Sequence, residues 1–340
     1  MSRQPAGGPT LEQVAALAGV GRGTASRAIN GGEHVSERSR AAVQAAVAEL
    51  GYVPNRAARS LVTRRTDAIA LVIAESEERI FGQPFFAGVI RGISVAVTDA
   101  GRQLVLLLAQ AGRRTEHLDG YLTRQHVDGV LLVSLHDDDA LPQQIRERGL
   151  PVVLGGRPVS GTGGGFVDMD NEHGARLVVD HLLARGRRAV GTIAGPPDMT
   201  AGRDRHAGFV AALSDAGRPA DPDLTVHGDF TQDSGERAMR ELLARRPDVD
   251  GVFCANDLMA AGALQVLRDA GRRVPEDVSV VGFDDSPMAL STHPPLTSVH
   301  QSSEDMGRVM VELLFSQMAE PVEPPRSRVL PTHLVVRASS

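Results

Sequence analysis

Polar side chains that can contact nucleic acid lie close together between residues 22 and 29. Arg22, Gly23, Thr24, Ser26 and Arg27 are small, hydroxylic or cationic, and they form the solvent side of a predicted helix. A helix with this surface can enter the major groove of DNA and touch phosphates and base edges. The same spacing also fits a helical hairpin with a polar outer face, so this surface alone leaves both interpretations open.

The preceding residues predict a first helix and a tight turn that position this surface. Thr10 can cap the first helix, and Gln13 lies where a capping box places its return acceptor. Val14 and Leu17 give that helix an apolar face. Residues 19–21 are too short for anything but a turn, so two short helices meet around it.

A third helix is predicted after them. Ser36 is its expected N-cap and Gly51 its expected C-cap. Between the caps, apolar residues recur at helical spacing and predict a buried stripe. The stripe consists of Ala42, Val43, Ala46, Val47 and Leu50.

Two motifs in this region resemble the headpiece of the lactose/galactose repressor (LacI/GalR) family. The first contains Thr24, Ser26, Arg27 and Asn30, and the second is G-Y-x-P-N-x-x-A-x-x-L over residues 51–61. The second motif is long and specific. The resemblance implies a helix-turn-helix headpiece at residues 10–54, followed by a hinge helix and linker at residues 55–66.

The resemblance also implies roles on the DNA. Arg22 and Gly23 occupy the positions that contact bases in the family, and since Gly23 lacks a side chain, base recognition depends on Arg22 and Arg27. Other headpiece residues are expected at phosphates, namely Thr24, Ser26, Asn30, His34 and Ser36. The hinge is expected to pair with its copy from a second subunit in the minor groove, with Leu61 wedged into a base step. Its expected contacts are Asn55, Arg56, Ala58 and Leu61.

The charge distribution agrees with a nucleic-acid-binding end. The 340-residue chain has a net charge of −6, which alone argues against nucleic acid. Residues 1–66, however, contain nine arginines and four glutamates, a net charge of +5, so the remainder carries −11. A cationic end on an anionic body presents one surface to phosphates and repels them elsewhere.

Cysteine usage and hydropathy indicate the cellular compartment. Cys254 is the only cysteine, so a disulfide framework is excluded and a reducing cytoplasm is expected. Residues 1–10 lack the apolar core of a signal peptide, and no apolar run reaches the length of a membrane span. We therefore expect a soluble cytoplasmic protein without a membrane partner.

Residues 67–340 alternate strand-like and helical segments, which predicts parallel sheets with ligands bound beyond the carboxyl ends of strands. The strand-like runs are residues 68–74, 104–109, 129–133, 152–154, 190–194, 224–226, 251–254 and 278–283. Helical stretches include residues 86–100, 174–185, 205–216, 235–244 and 258–270. There are too many strands for one sheet, and a glycine-rich break at residues 155–165 lies in the middle. The predicted fold class is therefore α/β, with a three-helix headpiece and hinge helix before two Rossmann-like lobes.

Further motifs extend the family resemblance over essentially the whole chain. They are A-G-P at 194–196, R-x-x-G-F at 205–209, A-N-D-L-M-A-A-G-A at 255–263, V-P-E-D-V-S-V-V-G-F-D-D at 274–285 and P-P-L-T-S-V at 294–299. The resemblance implies two lobes of the periplasmic-binding-protein type that close on a ligand. The first lobe is expected at residues 67–168 and 291–322, and the second at residues 169–290 and 323–340.

Three residues in these motifs are predicted to bind the ligand, because the family contacts its effector at these motif positions. Asp284 ends a buried strand, so its carboxylate can accept hydrogen bonds from a pair of sugar hydroxyls. Arg205 begins a helix and offers a fork of donors, and Asn256 offers a donor and an acceptor. Asp284 and Asn256 could instead satisfy the amides of their own loops.

Aromatic rings are rare in the chain, which has nine Phe and two Tyr. Such rings stack on the apolar faces of sugars. Phe81 and Phe85 are predicted to contact the effector, and Phe230 occupies the place of a sugar-stacking aromatic in the lactose repressor. Phe86 and Phe283 are expected to pack in the core.

The identity of the effector is predicted from resemblance alone. Residues 75–86 and 104–110 are similar to actinobacterial repressors of cello-oligosaccharide and related glucoside uptake. A small carbohydrate, either a cello-oligosaccharide or a related glucoside, is therefore the expected effector. Gly155 stands where some sugar-binding relatives have an acidic residue, and this departure weakens the transfer of any specific sugar.

The predicted function is a sequence-specific transcriptional regulator that binds double-stranded, pseudo-palindromic operator DNA as a homodimer or larger assembly. The sequence best fits a repressor of a sugar uptake or utilisation operon. A bound sugar is expected to release this repressor from the DNA. A ligand that promotes DNA binding, which also occurs in the family, is the alternative.

Other functional classes fit the sequence less well. The chain has no Walker phosphate loop, HExxH motif or nucleophile elbow, so we predict no enzyme activity and no cofactor. His136 with residues 137–139 is predicted to be a solvated loop leading into a helix, and no metal site is predicted. A stand-alone sugar-binding protein would have an export signal and no headpiece.

Overall fold

The computed structural model describes residues 8–53, 65–109, 120–137, 139–158, 164–320 and 326–340. The chain divides into two compact units, Met1–Thr66 and Asp67–Ser340. Four residues with predicted hinge contacts lie outside the described residues, namely Asn55, Arg56, Ala58 and Leu61.

Three helices form the first unit, and the first begins at its predicted cap. They are α1 (Leu11–Leu17), α2 (Arg22–Ile29) and α3 (Glu37–Leu50). The Thr10 hydroxyl accepts a hydrogen bond from the Gln13 amide at 3.3 Å, and the Gln13 side chain accepts one from the Thr10 amide at 2.8 Å. This reciprocal capping box fixes the start of α1.

The third helix also begins and ends at its predicted caps. The Ser36 hydroxyl accepts a hydrogen bond from the Ser39 amide at 3.2 Å, and Gly51 ends the helix with φ +60°. A glycine adopts this left-handed conformation without a Cβ clash. The three helices enclose a small core of Val14, Ala15, Ala25, Ala28, Val43 and Ala46. Because α2 buries only two alanines, its polar residues face outward.

The second unit contains twelve strands in the described ranges. They are β1 (Ala68–Ile73), β2 (Gln103–Leu108), β3 (Gly129–Val133), β4 (Val152–Gly155), β5 (Gly165–Met169), β6 (Val190–Ala194), β7 (Thr225–His227), β8 (Gly251–Cys254), β9 (Ser279–Asp284), β10 (Thr297–His300), β11 (Arg328–Leu330) and β12 (His333–Val335).

Helices connect most of these strands. They are α4 (Glu77–Gly82), α5 (Pro84–Asp99), α6 (Leu141–Glu147), α7 (Asn171–Ala184), α8 (Thr200–Asp215), α9 (Gln232–Arg245), α10 (Asp257–Asp269), α11 (Pro287–Ser291) and α12 (Ser303–Ala319), with a 3-10 turn at Pro222–Leu224. None of the helices in the described part of the chain is long and apolar enough to span a membrane.

The strands form two six-stranded sheets, one in each lobe. The first-lobe sheet has the order β11-β5-β4-β3-β1-β2, and the second-lobe sheet has the order β12-β10-β9-β8-β6-β7. The pairing is parallel except between β10 and β12. All six residues of β1 are buried, as a central parallel strand covered on both faces requires. The predicted α/β class with a helical headpiece and two lobes is confirmed, apart from the hinge.

The lobe boundaries differ from those predicted. Strand β10 lies in the second-lobe sheet beside β9, although residues 291–322 were assigned to the first lobe. Strand β11 lies in the first-lobe sheet beside β5, although residues 323–340 were assigned to the second lobe. Because hydrogen bonds pair each strand with its own sheet over its whole length, the chain passes between the two sheets in the segments that connect the strands.

The glycine-rich stretch at residues 155–165 is not a boundary between the lobes. Gly165 begins β5, which pairs with β4 in the first-lobe sheet. The chain first enters the second lobe after β5, at α7. Strands β5, β10, β11 and β12 were absent from the predicted set.

The helices of the second unit begin before their predicted positions. Arg205 is a clear case, because it lies inside α8 and does not begin it. The first turn of α8 has no apolar periodicity, and no side chain caps it, so the sequence pattern misses its start.

Helices α9 and α10 pack so closely that only glycine fits at residue 262. A Cβ atom there would lie 2.3 Å from the Gln232 carbonyl oxygen and 2.8 Å from the Glu236 amide nitrogen. Both are backbone atoms that a rotamer change cannot move. The close approach buries the apolar face of α10 against the second-lobe sheet.

Candidate functional site

The outer face of the second headpiece helix is open to solvent. Arg22, Gly23, Arg27 and Asn30 are exposed, and Thr24 and Ser26 are half-buried. His34 and Ser36, which follow the helix, are exposed as well. The structure therefore places all eight headpiece residues with predicted DNA contacts at or near the surface.

Arg22 lies against α1 in the structure. Its Nε is 3.0 Å from Oε1 of Glu12, and the two side chains are 72% and 59% exposed. An ion pair this open to water is weak, so it leaves the guanidinium available. A Cβ atom added at Gly23 would meet nothing within 4 Å, so no other group covers the helix surface beside Arg22.

An arginine that the sequence argument missed holds the end of α2. The guanidinium of Arg40 on α3 donates hydrogen bonds to the Gly32 oxygen at 3.1 Å and to the Ala28 oxygen at 3.4 Å. It thereby fixes α2 against the third helix. Its place in α3 gave no sequence signal for this contact.

In the second unit, Arg205 is the centre of a buried polar network on α8. Its guanidinium donates to Asn171 Oδ1 at 2.8 Å, to the Ala255 carbonyl at 2.6 Å and to Gln301 Oε1 at 3.4 Å. Its Cζ lies 3.7 Å from the centre of the Phe283 ring, which supports the guanidinium plane. The charged group is thus fixed in one orientation without being fully neutralised.

Asp284 lies beside this arginine at the end of β9. Its Oδ1 is 3.7 Å from Arg205 Nη1 and accepts a hydrogen bond from Gln301 Nε2 at 2.5 Å. Burial raises the pKa of Asp284 to about 6, although the nearby Arg205 charge opposes the shift. The residue has φ +111°, a strained conformation for a non-glycine residue that is often found at binding sites.

Two neighbouring pockets lie around this network. The first has a volume of about 90 Å³ and is lined by residues of both lobes, including Phe85, Met169, Arg205 and Gln301. The second has a volume of about 350 Å³, and Asp284 lines it with Phe85 and Gln301. Phe85 and Gln301 therefore face both pockets. Only the second falls within the roughly 300–1,000 Å³ of typical small-molecule sites.

Three residues with predicted effector contacts lie away from these pockets. The Asn256 side chain accepts a hydrogen bond from the Met259 amide and donates one to the Phe230 carbonyl, each at 2.9 Å, so it caps α10. Phe230 is 7% exposed and packs in the second-lobe core. Phe81 is 75% exposed on α4. The cap is therefore the structural role of Asn256, and core packing that of Phe230.

The predicted core positions of two other phenylalanines agree with the structure. Phe86 and Phe283 are buried in the cores of the first and second lobes.

Gly155 leaves little room for a side chain. A Cβ atom there would lie 3.1 Å from Met310 Sδ and 3.2 Å from Val133 Cγ2. A carboxylate that the sequence analysis missed, Asp168 on neighbouring β5, lines the same pocket. Burial raises the pKa of Asp168, and hydrogen bonds from the Met169 and Arg157 amides oppose the shift.

His136 is bound to acids of both lobes and is not a freely solvated loop residue. Its Nδ1 lies 2.6 Å from Asp198 Oδ2 in the second lobe, and its Nε2 lies 3.4 Å from Glu75 Oε1 in the first. The hydrogen bond with Glu75 is the main cause that raises the pKa of His136 to about 9, against the lowering effect of burial, and Asp198 adds to it. Across the described ranges, no group of three or more His, Cys, Asp or Glu side chains is arranged to hold a metal ion.

Comparison with known proteins identifies the family. Residues 10–55 match the lacI family of bacterial regulatory proteins, and residues 179–340 match a periplasmic binding protein-like domain. The HTH-type transcriptional regulator CelR of Thermobifida fusca is 55% identical over 333 residues, which cover 97% of this chain and 98% of CelR. This chain belongs to the lacI family.

Other relatives of this lacI-family protein include the HTH-type transcriptional repressor PurR of Erwinia tasmaniensis, which is 35% identical over 97% of the chain and 96% of PurR. Among solved structures, a CelR–cellobiose complex is 52% identical with a TM-score of 0.79, covering 98% of this chain and 100% of that one. The Lac repressor dimer bound to operator and the anti-inducer ONPF is 28% identical with a TM-score of 0.86, covering 98% and 99%.

These relatives confirm the predicted class of this lacI-family protein. It is a DNA-binding transcriptional regulator, and its relatives are regulators, not enzymes. The headpiece helices lie within the matched residues 10–55, and Arg205, Asp284 and Gln301 lie within the matched residues 179–340.

Proposed function

We propose that this regulator represses a sugar uptake or utilisation operon and is released from its operator by a cello-oligosaccharide bound between the lobes. The observation that carries this proposal is the fixed group of Arg205, Asp284 and Gln301 between two pockets. The similar CelR–cellobiose complex supports the choice of sugar. The similar operator-bound Lac repressor dimer supports a homodimer on DNA.

We assign base recognition in the operator to the two arginines of α2. The guanidiniums of Arg22 and Arg27 have the fork geometry for guanine, and both side chains are exposed. The hydroxyl, amide and imidazole groups around them would fix the register through phosphates. These are Thr24, Ser26, Asn30, His34 and Ser36. Since its target is the chromosome, we place the protein in the cytoplasm.

In the cleft, complementary groups would hold the sugar hydroxyls. Arg205 supplies donors, the Asp284 carboxylate supplies acceptors, and the Gln301 amide supplies both. Phe85 faces both pockets, so its ring is available to stack on an apolar sugar face. Phe230 would act indirectly, since it lies behind Arg205 with its ring centre 5.9 Å from Cζ.

The test is a gel-shift titration of the full-length protein on genomic fragments that it selects itself. We expect cellobiose to release the bound fragment, whereas maltose, its α-linked isomer, does not. Asp284→Asn keeps the side-chain shape but removes an acceptor, so it should bind the fragment and resist release. Cellobiose that leaves the wild-type complex intact, or strengthens it, would contradict the proposal.

A further inference from the structure

The two lobes are joined across one rim of the cleft by paired charges. The first-lobe members are His136 and Asp137, in the loop after β3, and Arg157, after β4. The second-lobe members are Asp198, which precedes α8, and Arg203 and Asp204 in the first turns of that helix. We call these six residues the inter-lobe clasp. We propose that the clasp holds the lobes closed and limits the rate at which sugar enters and leaves the cleft.

Three ion pairs make up the clasp, and each crosses from one lobe to the other. His136 Nδ1 contacts Asp198 Oδ2 at 2.6 Å. Arg203 Nη1 lies 3.1 Å from both carboxylate oxygens of Asp137. Arg157 Nη2 lies 2.5 Å from Asp204 Oδ2. Among the described residues, these are the ion pairs that join the two lobes.

Two further hydrogen bonds fix the same loops against each other. The Asp137 amide donates to the Asp198 carbonyl at 3.0 Å, and the Thr200 hydroxyl donates to the Arg157 carbonyl at 2.6 Å. Backbone groups are therefore paired across the cleft as well as side chains. A network with fixed backbone partners is stronger than the same number of isolated surface pairs.

The clasp lies beside the smaller pocket and blocks its enlargement. Arg157 and Thr200 line that pocket together with Ser134 and Met199 from the adjoining loops. Its volume of about 90 Å³ is well below the roughly 300–1,000 Å³ of small-molecule sites, so a disaccharide can use it only if the lobes separate there. Separation on this rim breaks the three ion pairs. The larger pocket has no clasp residue in its lining.

The experiment reverses one ion pair and then restores it with opposite polarity. Asp137→Arg and Arg203→Asp each replace an attraction by a repulsion, and the double variant Asp137→Arg with Arg203→Asp re-forms the pair. Spin labels on cysteines at Gln144 and Ala207, both exposed, report the distance between α6 and α8 in the full-length protein. The native Cys254 is fully buried, and burial raises the pKa of its thiol, so it stays unlabelled. Labelled chains are diluted with unlabelled ones so that each oligomer carries a single labelled pair.

We expect each single variant to shift the ligand-free distance distribution to longer values and the double variant to return it to that of the wild type. Cellobiose association should accelerate roughly three- to tenfold in the single variants, the size expected when an attractive surface pair becomes repulsive, and return in the double variant. Asp215→Arg is the matched control, because Asp215 pairs with Arg176 inside the second lobe. It should change neither the distance nor the rate.

Single variants with the wild-type distance distribution would overturn the clasp, as would a double variant that stays open. The kinetic measurement rests on the proposed function, whereas the distance measurement needs no sugar. If cellobiose fails to bind any variant, the proposed effector is wrong while the distances still decide whether the clasp exists.

Discussion

Among single residues, Arg22 has two competing partners. In the structure its guanidinium contacts the Glu12 carboxylate on α1, and in the proposed complex it contacts guanine. The exchange is favourable because an exposed ion pair contributes little, whereas a bidentate base contact discriminates by roughly 1–3 kcal/mol. The Glu12 carboxylate also repels the phosphates of any DNA sequence, so the Arg22–Glu12 pair favours sequence-specific over nonspecific binding.

Replacing Arg22 by alanine should therefore lower selectivity more than total affinity. We expect the selected operator to bind roughly 10- to 100-fold more weakly to Arg22→Ala, while random duplex loses much less. Fluorescence anisotropy with both duplexes at one fixed salt concentration measures the ratio.

The control is Arg38→Ala, which removes the same charge from an exposed position on α3. It should weaken both duplexes by a similar factor. An Arg22→Ala protein with unchanged selectivity would exclude Arg22 from base recognition.

For single residues, the predicted helix caps are confirmed, whereas the predicted ligand contacts stay predictions. Thr10 and Ser36 were correctly placed, because a cap depends only on residues three or four positions away. Asp284 and Arg205 do meet in space, as their motifs indicated. Asn256 could not be separated from a cap in advance, since one amide chemistry serves both roles. Gln301 was missed because its partners, Arg205 on α8 and Asp284 at the end of β9, are distant in sequence.

Among elements, the contact between α9 and α10 leaves little room for a larger residue. The two helices touch through Gly262 at backbone distance, and the apolar face of α10 is buried behind it. A larger residue must push the helices apart, which would separate the close-packed side chains on both.

Gly262→Ala should therefore destabilise the protein by about 1–3 kcal/mol, although alanine is the better helix former. Urea unfolding monitored by circular dichroism measures the loss. Gly82→Ala is the matched control in the same unit, because a Cβ at Gly82 meets nothing within 4 Å. We expect it to be neutral or slightly stabilising. Equal stabilities for the two variants would show that the helices can separate at little cost.

Strand prediction succeeded for eight strands, including the edge strands β2 and β7, and missed the interior strands β5 and β10 and the edge strands β11 and β12. The fully apolar β1 and β3 were found from composition alone. Strands β11 and β12 have three residues each, too few for any periodicity, and their pairing depends on the crossings between lobes. The lobe boundaries were misplaced for the same reason.

At the scale of the whole ligand-binding unit, the clasp couples closure to protonation of His136. The imidazolium lies between Glu75 of the first lobe, which also pairs with Arg79, and Asp198 of the second. A hydrogen bond from His136 lowers the pKa of Asp198 against the opposing effect of burial. The adjacent Asp137–Arg203 pair does not titrate in this range, because arginine keeps its charge at high pH.

Closure should therefore weaken as pH rises through about 9, the pKa of His136 in the closed form. Opening removes Asp198 and lowers that pKa, so the contribution of His136 to closure is complete at lower pH and lost above the closed-form value. The labelled protein should shift to longer distances between about pH 7 and about pH 10. His136→Gln should remove the shift, and His136→Lys should keep the closed distance near pH 9. A shift that persists in His136→Gln would assign the titration to another group.

The crossing of β11 into the first-lobe sheet has a consequence for synthesis. On the ribosome, the three headpiece helices emerge with their core complete and are free to fold at once. The first lobe must wait, because its core includes Met306, Met310 and Leu314 of α12, and its edge strand ends at Leu330. Nearly the whole polypeptide must be translated before either lobe is finished. The nascent chain therefore exposes apolar strands for most of its elongation, and slow translation or truncation near the 3′ end of the message should make it depend on chaperones.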